Sequence, residues 1–286
     1  MSLIVFSHAN SFPASTYGVL FKSLRARGHA VRAVDRFGHD PRYPVTSNWP
    51  FLVQQLADFA APEIERHGQG AWLVGHSLGG FLSLMCAARH PRLGGQALRG
   101  VVLIDSPLLG GWRARALELV KHTQLVGSIT PGKVSRRRRN AWPDAATALA
   151  YFSSKRAFAD WDPQVLRDYV HHGTLEHTDD QGEAQRVLAF DRDIETSIYN
   201  TLPHNLDRLL RRHPLGCPVG FIGGTRSLEM KQVGMNMTQR VVGLQHPERL
   251  AMIEGSHLFP MEKPHETANA IEAMLQVLAR PQVHPV

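Results

Sequence analysis

The sequence predicts an α/β fold: a mostly parallel sheet of about six strands flanked by helices, with a helical segment inserted after the fourth strand. Three observations predict it. Short apolar runs alternate with helix-period patterns through residues 1–106. That alternation stops over residues 107–213 and resumes at Cys217. In the first part, the run Ala71-Trp72-Leu73-Val74 passes through Gly75-His76-Ser77-Leu78-Gly79 directly into a helical pattern carried by Leu78, Phe81, Leu82 and Met85. A strand, a Gly-x-Ser-x-Gly turn and a helix in that order hold a serine on a sharp bend, where the neighbouring positions must be small. The same bend sets the serine oxygen at a helix N-terminus, whose free N–H groups favour negative charge.

The elements follow in order. Leu3-Ile4-Val5-Phe6-Ser7 is a continuous apolar run, the mark of a strand buried on both faces. His8-Ala9-Asn10-Ser11 makes a turn of small residues, and Tyr17, Leu20, Phe21 and Leu24 then recur at helical spacing up to Gly28. Residues 30–34 form the next strand, ending in Asp35-Arg36-Phe37-Gly38-His39. Pro50 suits a first helical position, and Leu52, Val53, Leu56, Phe59, Ala60 and Ile64 mark one face of the helix it opens. After the serine turn and its helix, residues 99–105 form a fourth strand with Asp105 at its C-terminal end. Parallel sheets of this kind place their sites beyond the carboxyl ends of the strands, where both Ser77 and Asp105 fall.

Residues 107–213 read mostly helical, over 113–122, 145–152, 163–172, 193–199 and 205–212, with a possible short strand at 186–190. They are expected to form a cap on the sheet's C-terminal edge, with residues 1–106 and 214–286 as the core. The run Arg136-Arg137-Arg138-Arg139 inside this segment reads as a solvated charged loop rather than an anion site. The sheet resumes with residues 217–223. A last strand over 249–254 leads into Gly255-Ser256-His257, and Pro264 opens a final helix with Ala268, Ile271, Met274, Leu275 and Leu278 on one face. The tail from Arg280 is expected to fray.

Composition narrows the function classes. The net charge of +7 raises the possibility of nucleic-acid binding, but the basic residues are scattered outside one Arg run, without aromatic interleaving or a nucleic-acid motif. The charge is expected to be solvated surface that attracts anionic substrates. No run of about 18 apolar residues exists to span a membrane. The first residues enter a strand without a basic leader or cleavage site, and the two cysteines, Cys86 and Cys217, imply no disulfide framework. A cytoplasmic location is expected. No His-x-x-x-His helix suggests zinc, and no cofactor is implied.

A hydrolytic serine needs a base, an acid to orient that base, and donors for the oxyanion. His257 is the best base, because it follows a strand end in a Gly-Ser-His turn. Two other histidines lie near strand ends. His8 reads as support for the loop after the first strand, and His76, inside the serine turn, as a ring pointing away from Ser77. The order Ser, acid, His is the order of this motif. Asp105 and Glu229 are the two candidate acids. Asp105 is preferred because it ends its strand directly, whereas Glu229 lies in a loop without fixed register.

On these residues the chain resembles the α/β-hydrolase superfamily over nearly its whole length. The likeness is carried by Gly75-His76-Ser77-Leu78-Gly79, His8-Ala9-Asn10, Asp35-Arg36-Phe37-Gly38-His39 and Gly255-Ser256-His257. The resemblance implies Ser77 as nucleophile, His257 as base, a helical cap over 107–213, and an oxyanion hole from the N–H of Leu78 and one from the His8 loop, that of Asn10. Three departures stand out. The first strand matches the one that two others usually precede, so a sheet of about six strands is expected. The usual His-Gly is His8-Ala9. No aspartate follows the penultimate strand in Gly223-Gly224-Thr225-Arg226-Ser227-Leu228-Glu229, and some capped relatives carry the acid where Asp105 stands. Dehalogenases and epoxide hydrolases of this fold use an aspartate nucleophile, so Ser77 points to acyl transfer to water. The expectation is a serine hydrolase of a small-molecule carboxylic ester. The alternatives are a carbon-carbon hydrolase or thioesterase of the same fold, or a non-catalytic ligand-binding protein built on it.

Overall fold

A computed structural model describes residues 1–110, 138–178 and 182–280. Six parallel strands form the central sheet: β1 (Leu3–Ser7), β2 (Ala30–Ala33), β3 (Trp72–His76), β4 (Gly100–Ile104), β5 (Val219–Gly224) and β6 (Leu250–Ile253). Their order across the sheet is β6-β5-β4-β3-β1-β2. The register brings Ser7 beside Gly75 and His76 beside Ile104, so the C-terminal ends of β1, β3 and β4 are adjacent. The apolar runs fill both faces because alternate residues point opposite ways. Leu3 and Val5 of β1 pack with helices α2 (Pro50–His67) and α3 (Leu78–Arg89) on one face. Ile4 and Phe6 pack on the other with α1 (Gly18–Ala26) and the C-terminal helix Pro264–Ala279.

Local signals bound α2. Pro50 opens α2, and Gly68 closes it in the left-handed conformation with φ +74°. Cys86 is fully buried on α3, as a small apolar residue at that position should be. Among the described residues, no helix is long and apolar enough to cross a membrane.

The described part of the insertion contains α4 (Ala145–Ser153), α5 (Pro163–Gly173), α6 (Arg192–Asn200) and α7 (Leu206–Arg212). The helix expected over 113–122 lies outside the described residues, as do Arg136, Arg137 and the tail beyond Arg280. The segment is less purely helical than expected. Ala141–Trp142, Thr174–Thr178 and Ala184–Leu188 make a small antiparallel sheet, of which only the last was anticipated, two residues further along. Leu175 to Thr178 are exposed, so no core-facing apolar alternation betrays that strand.

Hydrogen bonds set this part of the insertion against segments at the C-terminal edge of the sheet. The Asn10 amide donates to the Glu195 carbonyl at 3.1 Å, and Arg36 Nη1 donates to the Ala189 carbonyl at 2.5 Å. Trp49 Nε1 donates to Thr201 Oγ1 at 2.9 Å, and the Asp162 N–H donates to the Met261 carbonyl at 2.9 Å. Phe12 adds ring contacts to Trp161 and Tyr169, with centroids 5.6 and 5.7 Å away.

Candidate active site

Ser77 stands between β3 and α3 with φ +52° and ψ −115°, a strained conformation for a residue with a side chain. The glycines around it are required by contact. A Cβ on Gly79 would lie 1.9 Å from the Ser7 carbonyl oxygen, and one on Gly75 would lie 2.1 Å from that of Gly79. The bend therefore forms only where β1, β3 and α3 approach backbone to backbone. Ser77 N–H donates to the Ile104 carbonyl at 2.9 Å, which fixes the bend to the end of β4.

The structure brings the three expected side chains together. His257 Nε2 lies 3.0 Å from Ser77 Oγ, and its Nδ1 lies 2.6 Å from Asp105 Oδ2. Asp105 is fully buried, and its backbone is also left-handed at φ +41°. Its carboxylate receives two further hydrogen bonds: Gly224 N–H to Oδ1 at 2.7 Å and the Ser227 hydroxyl to Oδ2 at 2.6 Å. An ionised carboxylate only accepts, so His257 carries its hydrogen on Nδ1 and turns the lone pair of Nε2 toward the serine hydroxyl. Glu229, the other candidate acid, lies 3.9 Å from the same Nδ1, and its side chain is 46% exposed against 0% for Asp105. Asp105 is thus the carboxylate in hydrogen-bond contact with His257.

Sequence reasoning missed Ser227, which N-caps the short helix Leu228–Val233 by accepting from Met230 N–H while donating to Asp105. A serine at the start of a helical turn signals the cap, but nothing local signals a carboxylate arriving from β4.

The loop after β1 is held as its histidine suggested. His8 Nδ1 donates to the Ala9 carbonyl at 2.8 Å, and Nε2 accepts from Phe37 N–H at 3.0 Å. Burial pushes the ring's pKa down to about 4. Asn10, in this loop, is buried and tied by its side chain to Glu195; Leu78 is the first residue of α3. Leu78 follows Ser77 directly, and Asn10 follows β1, the strand paired with β3.

Within the arginine run, Arg138 departs from the solvated reading. Arg138 pairs with Glu195 at 3.1 Å, and Glu195 is 4% exposed, so the cation offsets a buried charge. Arg139 donates to the Ala141 carbonyl and stacks over Trp142 and Tyr151.

Residues 4–270 match the sequence model of the Alpha/beta hydrolase family. The chain belongs to that family. No curated protein matches the sequence. Among solved structures, this alpha/beta hydrolase is similar to an E-2-(acetamidomethylene)succinate hydrolase, with 20% identity, 96% of this chain and 91% of the other covered, and a TM-score of 0.63. It is similar to the thioesterase domain from the curacin biosynthetic pathway, with 19% identity, coverage of 95% and 91%, and a TM-score of 0.65. It is also similar to a structure from work on carboxylesterases of the ammonia-oxidizing thaumarchaeon Nitrososphaera gargenis, with 19% identity, coverage of 97% and 90%, and a TM-score of 0.59. At these identities the likeness is one of fold.

Proposed function

We propose that this alpha/beta hydrolase cleaves a small-molecule carboxylic ester through an acyl-enzyme on Ser77. The observation that carries the reading is the unbroken path from Ser77 Oγ through both ring nitrogens of His257 to the buried carboxylate of Asp105. Ser77 attacks the ester carbonyl as His257 Nε2 takes its proton, and Asp105 stabilises the imidazolium so formed. The N–H groups of Leu78 and Asn10 receive the developing oxyanion, each worth about 3 kcal/mol of barrier. His257 passes its proton to the departing alcohol, then draws one from the water that releases the acid.

Residues 107–213 act as a cap that sets substrate size, over a core of 1–106 and 214–286. The contacts of their described part with the segments carrying Asn10, Arg36 and Met261 support this role. The reading needs neither metal nor organic cofactor. Two unpaired cysteines favour a reducing compartment, the cytoplasm.

A fluorophosphonate probe and a panel of nitrophenyl esters and thioesters of increasing acyl length test the proposal. Wild type should be labelled and should hydrolyse short esters. Ser77→Ala should lose labelling and about a million-fold in kcat, as in other serine triads. Turnover that survives Ser77→Ala with no covalent adduct on wild type would sink the acyl-enzyme mechanism. A preference for thioesters over matched oxygen esters would move the substrate class.

A further inference from the structure

His76, which the sequence suggested only points away from Ser77, has two partners of its own. It is fully buried, and so is Tyr17. The Tyr17 hydroxyl lies 2.8 Å from His76 Nδ1 and accepts the Ala9 N–H at 3.0 Å. On the far side of the ring, Nε2 lies 2.9 Å from the carbonyl oxygen of His257. Chemistry fixes every proton along this chain. A backbone carbonyl only accepts, so Nε2 carries a hydrogen. Burial, reinforced by the neighbouring His257, holds the ring pKa well below 6.5, so the imidazole is neutral and Nδ1 accepts. The phenol then donates to Nδ1, and its oxygen takes the Ala9 hydrogen.

The sheet order gives this chain its importance. β3, which carries the serine bend, and β6, which leads to His257, are separated by β4 and β5. No ladder hydrogen bond can couple them. The His76 side chain reaches across that gap, and Tyr17 extends the link to the loop holding Ala9 and Asn10. We infer that His76 is a positioning residue, which with Tyr17 holds the His257 backbone and the Ala9-Asn10 loop in register with Ser77. This rests on the proposed acyl-enzyme chemistry, because its purpose is to keep nucleophile, base and oxyanion donors at fixed separations.

The test combines nitrophenyl butyrate kinetics on His76→Leu, His76→Gln and Tyr17→Phe with ¹⁵N NMR of the wild-type histidines. His76→Leu should lower kcat about 10- to 100-fold, the scale of a misplacement of about 1 Å, while KM moves less than about 3-fold. His76→Gln keeps an N–H donor for the His257 carbonyl and should recover most of that loss. Tyr17→Phe keeps the ring's shape and core packing, so it reports even if His76→Leu fails to fold, and it should lower kcat about 10-fold. Because the two residues act as one unit, the double variant should be little worse than His76→Leu. The wild-type His76 ring should be neutral and protonated on Nε2 at pH 7. A kcat within about 3-fold of wild type in His76→Leu, or in Tyr17→Phe where His76→Leu fails to fold, overturns the inference, as does a ring protonated on Nδ1. If wild type neither turns over esters nor takes the fluorophosphonate probe, the acyl-enzyme reading fails, and the tautomer still decides whether the link exists.

Discussion

Replacing Asp105 with asparagine keeps the size of the side chain and reverses the chemistry of one of its ends. Three donors converge on this buried carboxylate, from Gly224, Ser227 and His257. An asparagine offers one acceptor atom and one donor atom. If its NH₂ faces His257, Nδ1 must become the acceptor, and the hydrogen moves to Nε2, where it confronts Ser77 Oγ at 3.0 Å. The imidazole can then no longer accept the serine proton. If the NH₂ instead faces Gly224, two N–H groups collide in a site sealed from water. Loss of the correct tautomer in a triad costs about 10⁴ in kcat, or about 5 kcal/mol of barrier. Glu229→Gln provides the contrast. Its carboxylate is half-exposed and 3.9 Å from the ring, a contact worth at most about 1 kcal/mol, so kcat should change by less than about 5-fold. Stopped or steady-state hydrolysis of a nitrophenyl ester measures both, with circular dichroism verifying the fold. A severe loss in Glu229→Gln together with near-normal turnover in Asp105→Asn would refute the assignment of the acid.

Two further outcomes follow from the fold. Gly79→Ala drives a methyl group against the Ser7 carbonyl and should destabilise the protein by about 3 kcal/mol, seen as a lower urea midpoint. His8 titrates at about 4 in the fold against 6.5 when unfolded, so the unfolded chain binds more protons between those values. Stability should therefore be complete above pH 6.5 and fall by up to about 3 kcal/mol as the pH drops to about 4. His76, lowered by burial in the same direction, adds to that slope. A melting temperature flat across this window would contradict both buried, neutral rings.

The parts legible in the sequence are those decided by local chemistry. β1 is a continuous apolar run, and its observed bounds match the reading residue for residue. Ser77 announces itself because the contacts that demand Gly75 and Gly79 leave a spaced pattern. The choice between Asp105 and Glu229 is of another kind. Both follow strands at the same edge, and which carboxylate meets His257 depends on how β4, β5 and β6 lie side by side. The short helices Leu228–Val233 and Asn236–Val242 went unread because each buries few residues and so shows little period. Arg138 looked solvated because its partner, Glu195, is far along the chain and itself sits on an amphipathic helix where an acidic residue is unremarked.

The burial of Asp105 bears on the order in which the chain can fold. Its three donors, Gly224, Ser227 and His257, all lie beyond the insertion, although Asp105 itself directly follows β4. A partly synthesised chain holding β1 to β4 has the serine bend but none of the groups that satisfy this carboxylate. An ionised side chain sealed from water without partners costs several kcal/mol, so in such an intermediate the end of β4 stays hydrated. Docking of β5 supplies Gly224 and Ser227 and permits the edge to close. The arrival of His257 after β6 then completes the shell. Closing the sheet over Asp105 thus depends on the last segment of the chain, which supplies all three of its donors.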